Sequence, residues 1–346
     1  MSMLRTLRPL LSNILHAALL DDGRHEPLFP LYHVTPYCNL RCSYCDGFPE
    51  LGVTRERGWA GPGGAGVPDL QLATAGVKEL LRILRRRFDY LFLSGGEPLL
   101  REDIEEIVEF AGKLGFRGIS INTNALLLHE KDSILGRLAT VVVSLDTADE
   151  AKLGRIIGRG KAAARTIIGN VERYARAGRS YKLVVHSVIL PGSIPTAEEV
   201  LRFCLERDIW ICLSPLQKGY RVPRSLESSR EYARFIDEVI ALKKDGKKIS
   251  GSLAFYENIR DLRPFRCLPL VIPRILPDGR ILYPCRPKGR VGASILSFGS
   301  WEGAAADAAR RFGPPPDCRD SCRIRCYIEP SLIMKQPFRL AREFFL

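Results

Sequence analysis

The sequence predicts an α/β fold. It reads as a partial (β/α)6 barrel, TIM-like but short of the eight strands that close one, followed by a small C-terminal metal-stapled α+β domain. Three observations predict it. From residue 31, strand-like apolar runs alternate with stretches of helical periodicity. After residue 250 that rhythm stops, and prolines and cysteines fill the chain. Eight of the ten cysteines fall in two groups, one near each end, which suggests two metal sites rather than scattered buried thiols.

Residues 1–30 read as an amphipathic helix and a lead-in. Leu4, Leu7, Leu11, Ile14, Leu15, Ala18 and Leu19 repeat at helical spacing, leaving Arg5, Arg8, Ser12 and His16 toward the other side. Asn13 and His16 interrupt the apolar run and Asp21-Asp22 follow it, so it is not a signal peptide and export is not expected. Residues 31–250 hold the barrel. Its strands are Leu31–Thr35, Tyr90–Ser94, Gly118–Asn122, Thr140–Leu145, Lys182–Leu190 and Trp210–Leu213. Helical patterns cover Leu72–Arg87, Arg101–Leu114, Ala162–Ala177, Ala197–Glu206 and Ser229–Lys244. A Gly/Pro-rich loop at 47–68, centred on Gly61-Pro62-Gly63-Gly64, reads as mobile surface or a lid. Within 251–330, Leu270–Leu276 and Arg280–Tyr283 flank Pro277-Asp278-Gly279, a hairpin turn. Residues 331–346 read as an amphipathic basic tail, with Lys335, Arg339 and Arg342 among Leu332, Ile333, Phe338, Phe344 and Phe345.

No apolar run reaches the roughly 18 residues of a membrane span. The net charge of +13 suits phosphates, anionic lipid headgroups or acidic peptides. Nucleic acid is not predicted, because the basic residues are scattered and no binding signature accompanies them.

Cys38-x-x-x-Cys42-x-x-Cys45 lies in one loop after the first strand. Three thiolates serve three irons of a cubane and leave the fourth open. A structural zinc site wants a fourth ligand, and the nearest candidate, His33, sits within that strand. In the second group Cys267 and Cys285 flank the hairpin, and Cys318-x-x-x-Cys322-x-x-x-Cys326 follows a Pro-rich connection. Iron–sulfur and zinc both suit it. Cys204 and Cys212 fall in a helix and a strand and read as ordinary buried residues. Barrel sites lie just after the strands, and there stand Gly95-Gly96-Glu97-Pro98, Asn122, Asn124, Ser144 and Asp146. Of His186 and Ser187 in strand five, one should point into the barrel.

Cys38-Asn-Leu-Arg-Cys42-Ser-Tyr-Cys45 closely resembles the signature of the radical SAM superfamily, and the resemblance extends across residues 31–216. It implies that Cys38, Cys42 and Cys45 hold a 4Fe–4S cluster whose open iron chelates S-adenosylmethionine. Reductive cleavage then gives methionine and a 5′-deoxyadenosyl radical, with electrons from a reductant such as a ferredoxin or flavodoxin. By the same resemblance Tyr44 packs near the adenine, and Gly95, Gly96, Glu97 and Pro98 meet the SAM amino group. Asn122, Asn124, Ser144, Asp146 and Ser187 are candidates for ribose or carboxylate contacts, or are satisfied strand-end groups. The run Cys267…Pro277-Asp278-Gly279…Tyr283-Pro284-Cys285 resembles the start of SPASM and Twitch auxiliary domains. The full SPASM pattern has seven cysteines and only five are present here, so one auxiliary 4Fe–4S cluster is implied among Cys267, Cys285, Cys318, Cys322 and Cys326.

The substrate has two readings. The terminal helices suggest a lipid or isoprenoid-like substrate met by a cytoplasmic enzyme in peripheral contact with the inner face of the membrane. The SPASM/Twitch resemblance suggests instead a maturase acting on a peptide or protein side chain. No separate peptide-recognition domain fits into the roughly 30 residues before the first strand. A plain electron carrier would need neither the SAM turn nor six β/α units.

Overall fold

A computed structural model describes residues 2–53, 70–176, 179–319, 322–337 and 339. Most of the 47–68 loop, and Phe338, Arg342, Phe344 and Phe345 of the tail, lie outside these residues. The strands are β1 Leu31–Thr35, β2 Tyr90–Gly95, β3 Gly118–Thr123, β4 Thr140–Ser144, β5 Lys182–Ile189, β6 Trp210–Pro215, β7 Arg274–Ile275, β8 Arg280–Tyr283 and β9 Arg290–Ser294. The helices are α1 Ser2–Ile14, α2 Thr74–Arg87, α3 Ile104–Lys113, α4 Glu150–Ile157, α5 Gly160–Tyr174, α6 Ile194–Glu206, α7 Arg224–Glu227, α8 Arg230–Lys244, α9 Leu253–Asp261, α10 Trp301–Phe312 and α11 Arg325–Lys335.

All nine strands form one sheet in the order β6-β5-β4-β3-β2-β1-β7-β8-β9. β1 to β6 run parallel, as right-handed β/α crossovers require. The sheet does not close, and the protein is a partial TIM-like α/β barrel. β7 adds to β1 in parallel, and β7, β8 and β9 then continue antiparallel. Each barrel strand alternates. Leu91 and Leu93, Ile119 and Ile121, and Val141 and Val143 join the helix-packed core, while Ser94, Asn122 and Ser144 occupy the opposite, inner face. α3 shows why a helix forms: Glu105 and Glu106 stand in its first turn, Lys113 in its last, and Ile104, Ile107, Val108 and Ala111 are buried.

The open side of the barrel is occupied by the lead-in to α11. The Arg323 backbone N–H donates to Gln217 Oε1, just after β6, at 2.9 Å. The Arg323 guanidinium donates to the Leu262 and Arg263 carbonyls at 2.6 and 2.9 Å. Arg274 of β7 donates to Cys326 Sγ at 2.6 Å. Residues 323–326 therefore tie the β6 edge to β7.

Two elements differ from expectation. Of Leu270–Leu276 only Arg274–Ile275 is strand; Pro269–Val271 forms a 3₁₀ turn, because prolines at 269 and 273 cannot donate to a ladder. α1 is helical and continues as a π-helical turn at Leu15–Leu20, but it docks by another face than its leucine stripe. Pro9, Asn13 and Ala17 face inward, with Leu10 and Ile14 beside them against Leu268, Val271 and Met334. Leu7, Leu11, Leu15, Leu19 and Leu20 remain exposed. Asn13 decides this: its side chain exchanges two hydrogen bonds with the Glu26 backbone, at 2.9 and 2.6 Å.

Candidate functional site

The first cysteine loop has almost no regular structure of its own, and borrowed backbone holds it. The Arg41 and Ser43 N–H groups donate to the Ile157 and Ile156 carbonyls, both at 2.8 Å. Arg159 donates to the Asn39 carbonyl at 2.6 Å. Gly158 is left-handed at φ 64°, and a Cβ there would stand 2.8 Å from the Arg41 carbonyl oxygen. The end of α4 thus clamps the loop, and its glycine is required by that close approach. The Leu40 N–H and the Asn124 amide reach Cys38 Sγ at 3.4 and 3.8 Å. Burial pushes the Cys38 thiol up to about 12, helped by Glu97 and Cys45. Burial also raises Cys42, with Cys45 and Cys38 adding to it.

The glycine turn packs onto this loop from β2. Gly95 has φ 149°, and the Gly96 and Glu97 N–H groups donate to the Thr35 and Tyr37 carbonyls at 2.9 and 2.7 Å. A Cβ at Gly96 would run into the Tyr37 carbonyl. Glu97 is fully buried, and its carboxylate is already engaged. It accepts from Leu99 N at 3.0 Å, Thr123 Oγ1 at 2.7 Å and Asn124 N at 2.7 Å. Burial raises its pKa to about 7 in spite of those donors. Pro98 opens the short 3₁₀ turn that Glu97 caps.

Asp146 is built alike. It accepts from Tyr44 Oη at 2.5 Å and from the Val188 N–H at 2.8 Å, and burial raises its pKa to about 6. Asp146 therefore ties the cysteine loop to β5, while the Glu97 carboxylate ties the glycine turn to the end of β3 and the Glu97 N–H holds the Tyr37 carbonyl. Asn124 also bonds Asn39 Oδ1, at 2.8 Å. Asn122 and Ser144 are half-buried on the inner face, with Ser144 in register with His186. Strand five places His186 there: its Nε2 pairs with Ser214 Oγ at 3.0 Å, and burial lowers it to about 4, keeping the ring neutral. Ser187 lies on the other face, in step with Leu183, Val185 and Ile189, with its hydroxyl buried and without a hydrogen-bond partner among the described residues.

The second group converges where β7, β8 and α11 meet. The Cys267 N–H donates to the Cys318 carbonyl at 2.8 Å. Burial raises the Cys267 thiol, and Cys322, Cys318 and Cys285 add to it. Burial likewise raises Cys285, and lifts Cys322 to about 11. Cys326 instead meets Arg274, whose guanidinium also lies 5.1 Å from the Tyr327 ring. Cys204 and Cys212 are fully buried, as core residues are.

Both groups fit iron–sulfur chemistry in donor type: several half-buried thiols, close enough to perturb one another, with N–H donors on sulfur at Cys38 in the first group and at Cys326 in the second. Among the described residues no three His, Cys, Asp or Glu converge tightly enough for a single metal ion; sulfurs around a cubane stand farther apart than the ligands of one ion. Sequence reasoning had no signal for Arg159, Arg274 or the α4 carbonyls, whose roles depend on tertiary placement. Gly158 had a faint one, as a glycine just past a helical run.

The model of the radical SAM superfamily matches residues 32–204. A probable GTP 3′,8-cyclase of Methanothermobacter marburgensis is 30% identical across 85% of this chain and 97% of its own length. The GTP 3′,8-cyclase of Mycobacterium marinum is 33% identical, over 56% of this chain and 52% of that one. Among solved structures, Streptococcus suis SuiB bound to the precursor peptide SuiA aligns with TM-score 0.57 at 18% identity, covering 84% of this chain and 65% of SuiB. The anSMEcpe structure with AdoMet and the Kp18Cys peptide aligns with TM-score 0.55 at 13% identity, covering 93% and 100%. These structural likenesses establish the fold. With a matching family model across half its length and a relative aligned almost end to end, the chain belongs to the radical SAM superfamily of enzymes, which use a 4Fe–4S cluster and S-adenosylmethionine.

Proposed function

We propose that this radical SAM enzyme acts on a lipid-like substrate met at a membrane surface. Cys38, Cys42 and Cys45 would hold the SAM-binding cluster, which with SAM supplies a 5′-deoxyadenosyl radical. The chain's own residues position that cofactor: Asn124 and the Leu40 N–H support Cys38, and Glu97 and Asp146 keep the loop against the strand ends. One auxiliary cluster would sit among the C-terminal cysteines.

The observation that carries the substrate reading is α1. Its inner face is docked, yet Leu7 and Leu11 on its outer side and Leu15, Leu19 and Leu20 of the turn that continues it stay in solvent, Leu19 at 76% exposure and Leu11 at 56%. Few other large apolar side chains among the described residues are so exposed. Arg8 is exposed on the same helix, and the chain carries +13, which suits an anionic headgroup layer. No helix among the described residues is long and apolar enough to cross a membrane, so contact would be peripheral.

The test is flotation of the anaerobically reconstituted chain with phosphatidylcholine–phosphatidylglycerol vesicles. The wild type should float. A variant with Leu7, Leu11, Leu15 and Leu19 all changed to Ser should stay behind while still releasing 5′-deoxyadenosine. A wild type that does not float removes the basis for a lipid substrate. A nucleotide substrate is the second reading, favoured by the near full-length relative named as a probable GTP 3′,8-cyclase. GTP consumption coupled to 5′-deoxyadenosine would establish it. A peptide substrate, the other expectation, has the weaker support of a shared fold with SuiB and anSMEcpe.

A further inference from the structure

We propose that Arg274 raises the reduction potential of the auxiliary cluster, its buried guanidinium offsetting the negative charge that the cluster gains on reduction. This rests on reading the C-terminal cysteines as one four-iron site, and it holds whichever of the five is spare.

β7 is short, yet it fixes Arg274 from both sides. The residue lies in register with Leu31 of β1 and with Leu282 of β8, so its backbone is inside the sheet rather than at an edge. The side chain reaches from there to the start of α11. Its Nη2 donates to Cys326 Sγ at 2.6 Å, and the guanidinium carbon stands 5.1 Å from the centre of the Tyr327 ring. Tyr327 is held in turn, because its hydroxyl accepts from the Arg286 N–H at 2.9 Å. β8 leads from Leu282 to Cys285, and the same cation faces that thiol as well.

What the guanidinium lacks is an acid. Arg274 is only 8% exposed, no carboxylate pairs with it among the described residues, and its Nε has no hydrogen-bond partner among them. A buried cation left uncompensated is costly. Its neighbours are thiols, and a cluster held by thiolates is anionic, which supplies the missing charge. The first group is met differently. Cys38 receives neutral N–H groups, from Leu40 and from the Asn124 amide.

Cluster potentials respond to net charge and to N–H donors on sulfur. Arg274 brings both, in a place where solvent does little to screen them. On reduction the cluster takes one electron from a low-potential reductant, with no bond made or broken, and the added negative charge stays beside the guanidinium. The reduced state therefore gains more from Arg274 than the oxidised state does.

The experiment is a potentiometric titration followed by EPR. It uses the full chain, reconstituted anaerobically with Cys38, Cys42 and Cys45 changed to Ala, so that the signal comes from the second group alone. This background should hold about four irons. Arg274→Met removes charge and donor, Arg274→Gln keeps a neutral N–H, and Arg274→Lys keeps the charge. At unchanged iron content, Arg274→Met should make reduction at least about tenfold harder, a shift of about 59 mV or more to lower potential for one electron. Arg274→Gln should move the same way, and Arg274→Lys should recover most of the difference. A role confined to packing would leave the potential unmoved. Should Arg274→Met lose its iron, the other two decide: a Lys variant reduced more easily than the Gln variant supports the proposal, and equal potentials overturn it. Substituted chains that titrate together with the Arg274 chain also overturn it. A wild type holding only about four irons, with none in the background chain, overturns the auxiliary-cluster reading itself, which distinguishes the two failures.

Discussion

Glu97 shows what a single residue contributes here. The resemblance implied a carboxylate facing the SAM ammonium; within the chain it also receives three donors, from the turn and from the end of β3. Its pKa rises from 4.5 to about 7, chiefly because burial disfavours the charge. Between those values the folded chain binds more protons than the unfolded one, so stability falls as pH rises through the window, by about 3 kcal/mol in all. Denaturant unfolding without added SAM, at several pH values between 4.5 and 7, should show that slope. Glu97→Gln should lack it and be less stable at pH 5 by about 1–3 kcal/mol, because its amide opposes one backbone donor. The GGEP run was legible as a motif because its glycines and strand-end position are sequence properties. What its carboxylate bonds was not legible, since Thr123 and Asn124 come from another strand.

Single elements were read well where periodicity alone decides them. The six barrel strands appear within a residue or two of expectation, because buried parallel strands are continuous apolar runs bounded by turns. α1 was legible as a helix but not in its orientation. Its most apolar stripe faces outward, because Asn13 supplies both partners of the Glu26 backbone, a contact that hydrophobicity does not report. Asn13→Ala should free the helix at a cost of about 1–3 kcal/mol. Hydrogen exchange should then quicken across residues 7–20 and leave β1 to β6 protected. α4 works at the same scale, through its last turn rather than its length. Gly158→Ala meets both a left-handed φ and the Arg41 carbonyl, and overpacking of this kind costs roughly 1–3 kcal/mol or more. It should lower iron at the first site and spare the second, as iron analysis of the reconstituted variant would show.

At the scale of the molecule, the two cysteine groups were expected on a barrel and on an appendage, from the strand–helix alternation and its loss after residue 250. Their linkage was not foreseeable. It depends on Arg323 reaching Gln217, Leu262 and Arg263, and on Arg274 reaching Cys326, contacts between residues far apart in the chain. The hairpin turn at Pro277-Asp278-Gly279 was visible as a local pattern; its role as an extension of the barrel sheet was not, because β7 is only two residues long. The change of rhythm at residue 250 is real in the sequence, and the hydrogen-bonded ladder crosses it.

That ladder bears on any attempt to excise the barrel. β7 lies alongside β1 from Leu31 to Tyr32, and Tyr32 Oη donates to the Pro277 carbonyl at 3.4 Å. A chain cut at residue 250 would lose this cover and present β1 as a raw border, with Leu31, Tyr32 and Val34, all buried in the intact chain, behind unpaired amides. Borders of that kind recruit strands from other molecules. The fragment 1–250 should therefore self-associate on light scattering under conditions that keep the full chain dispersed.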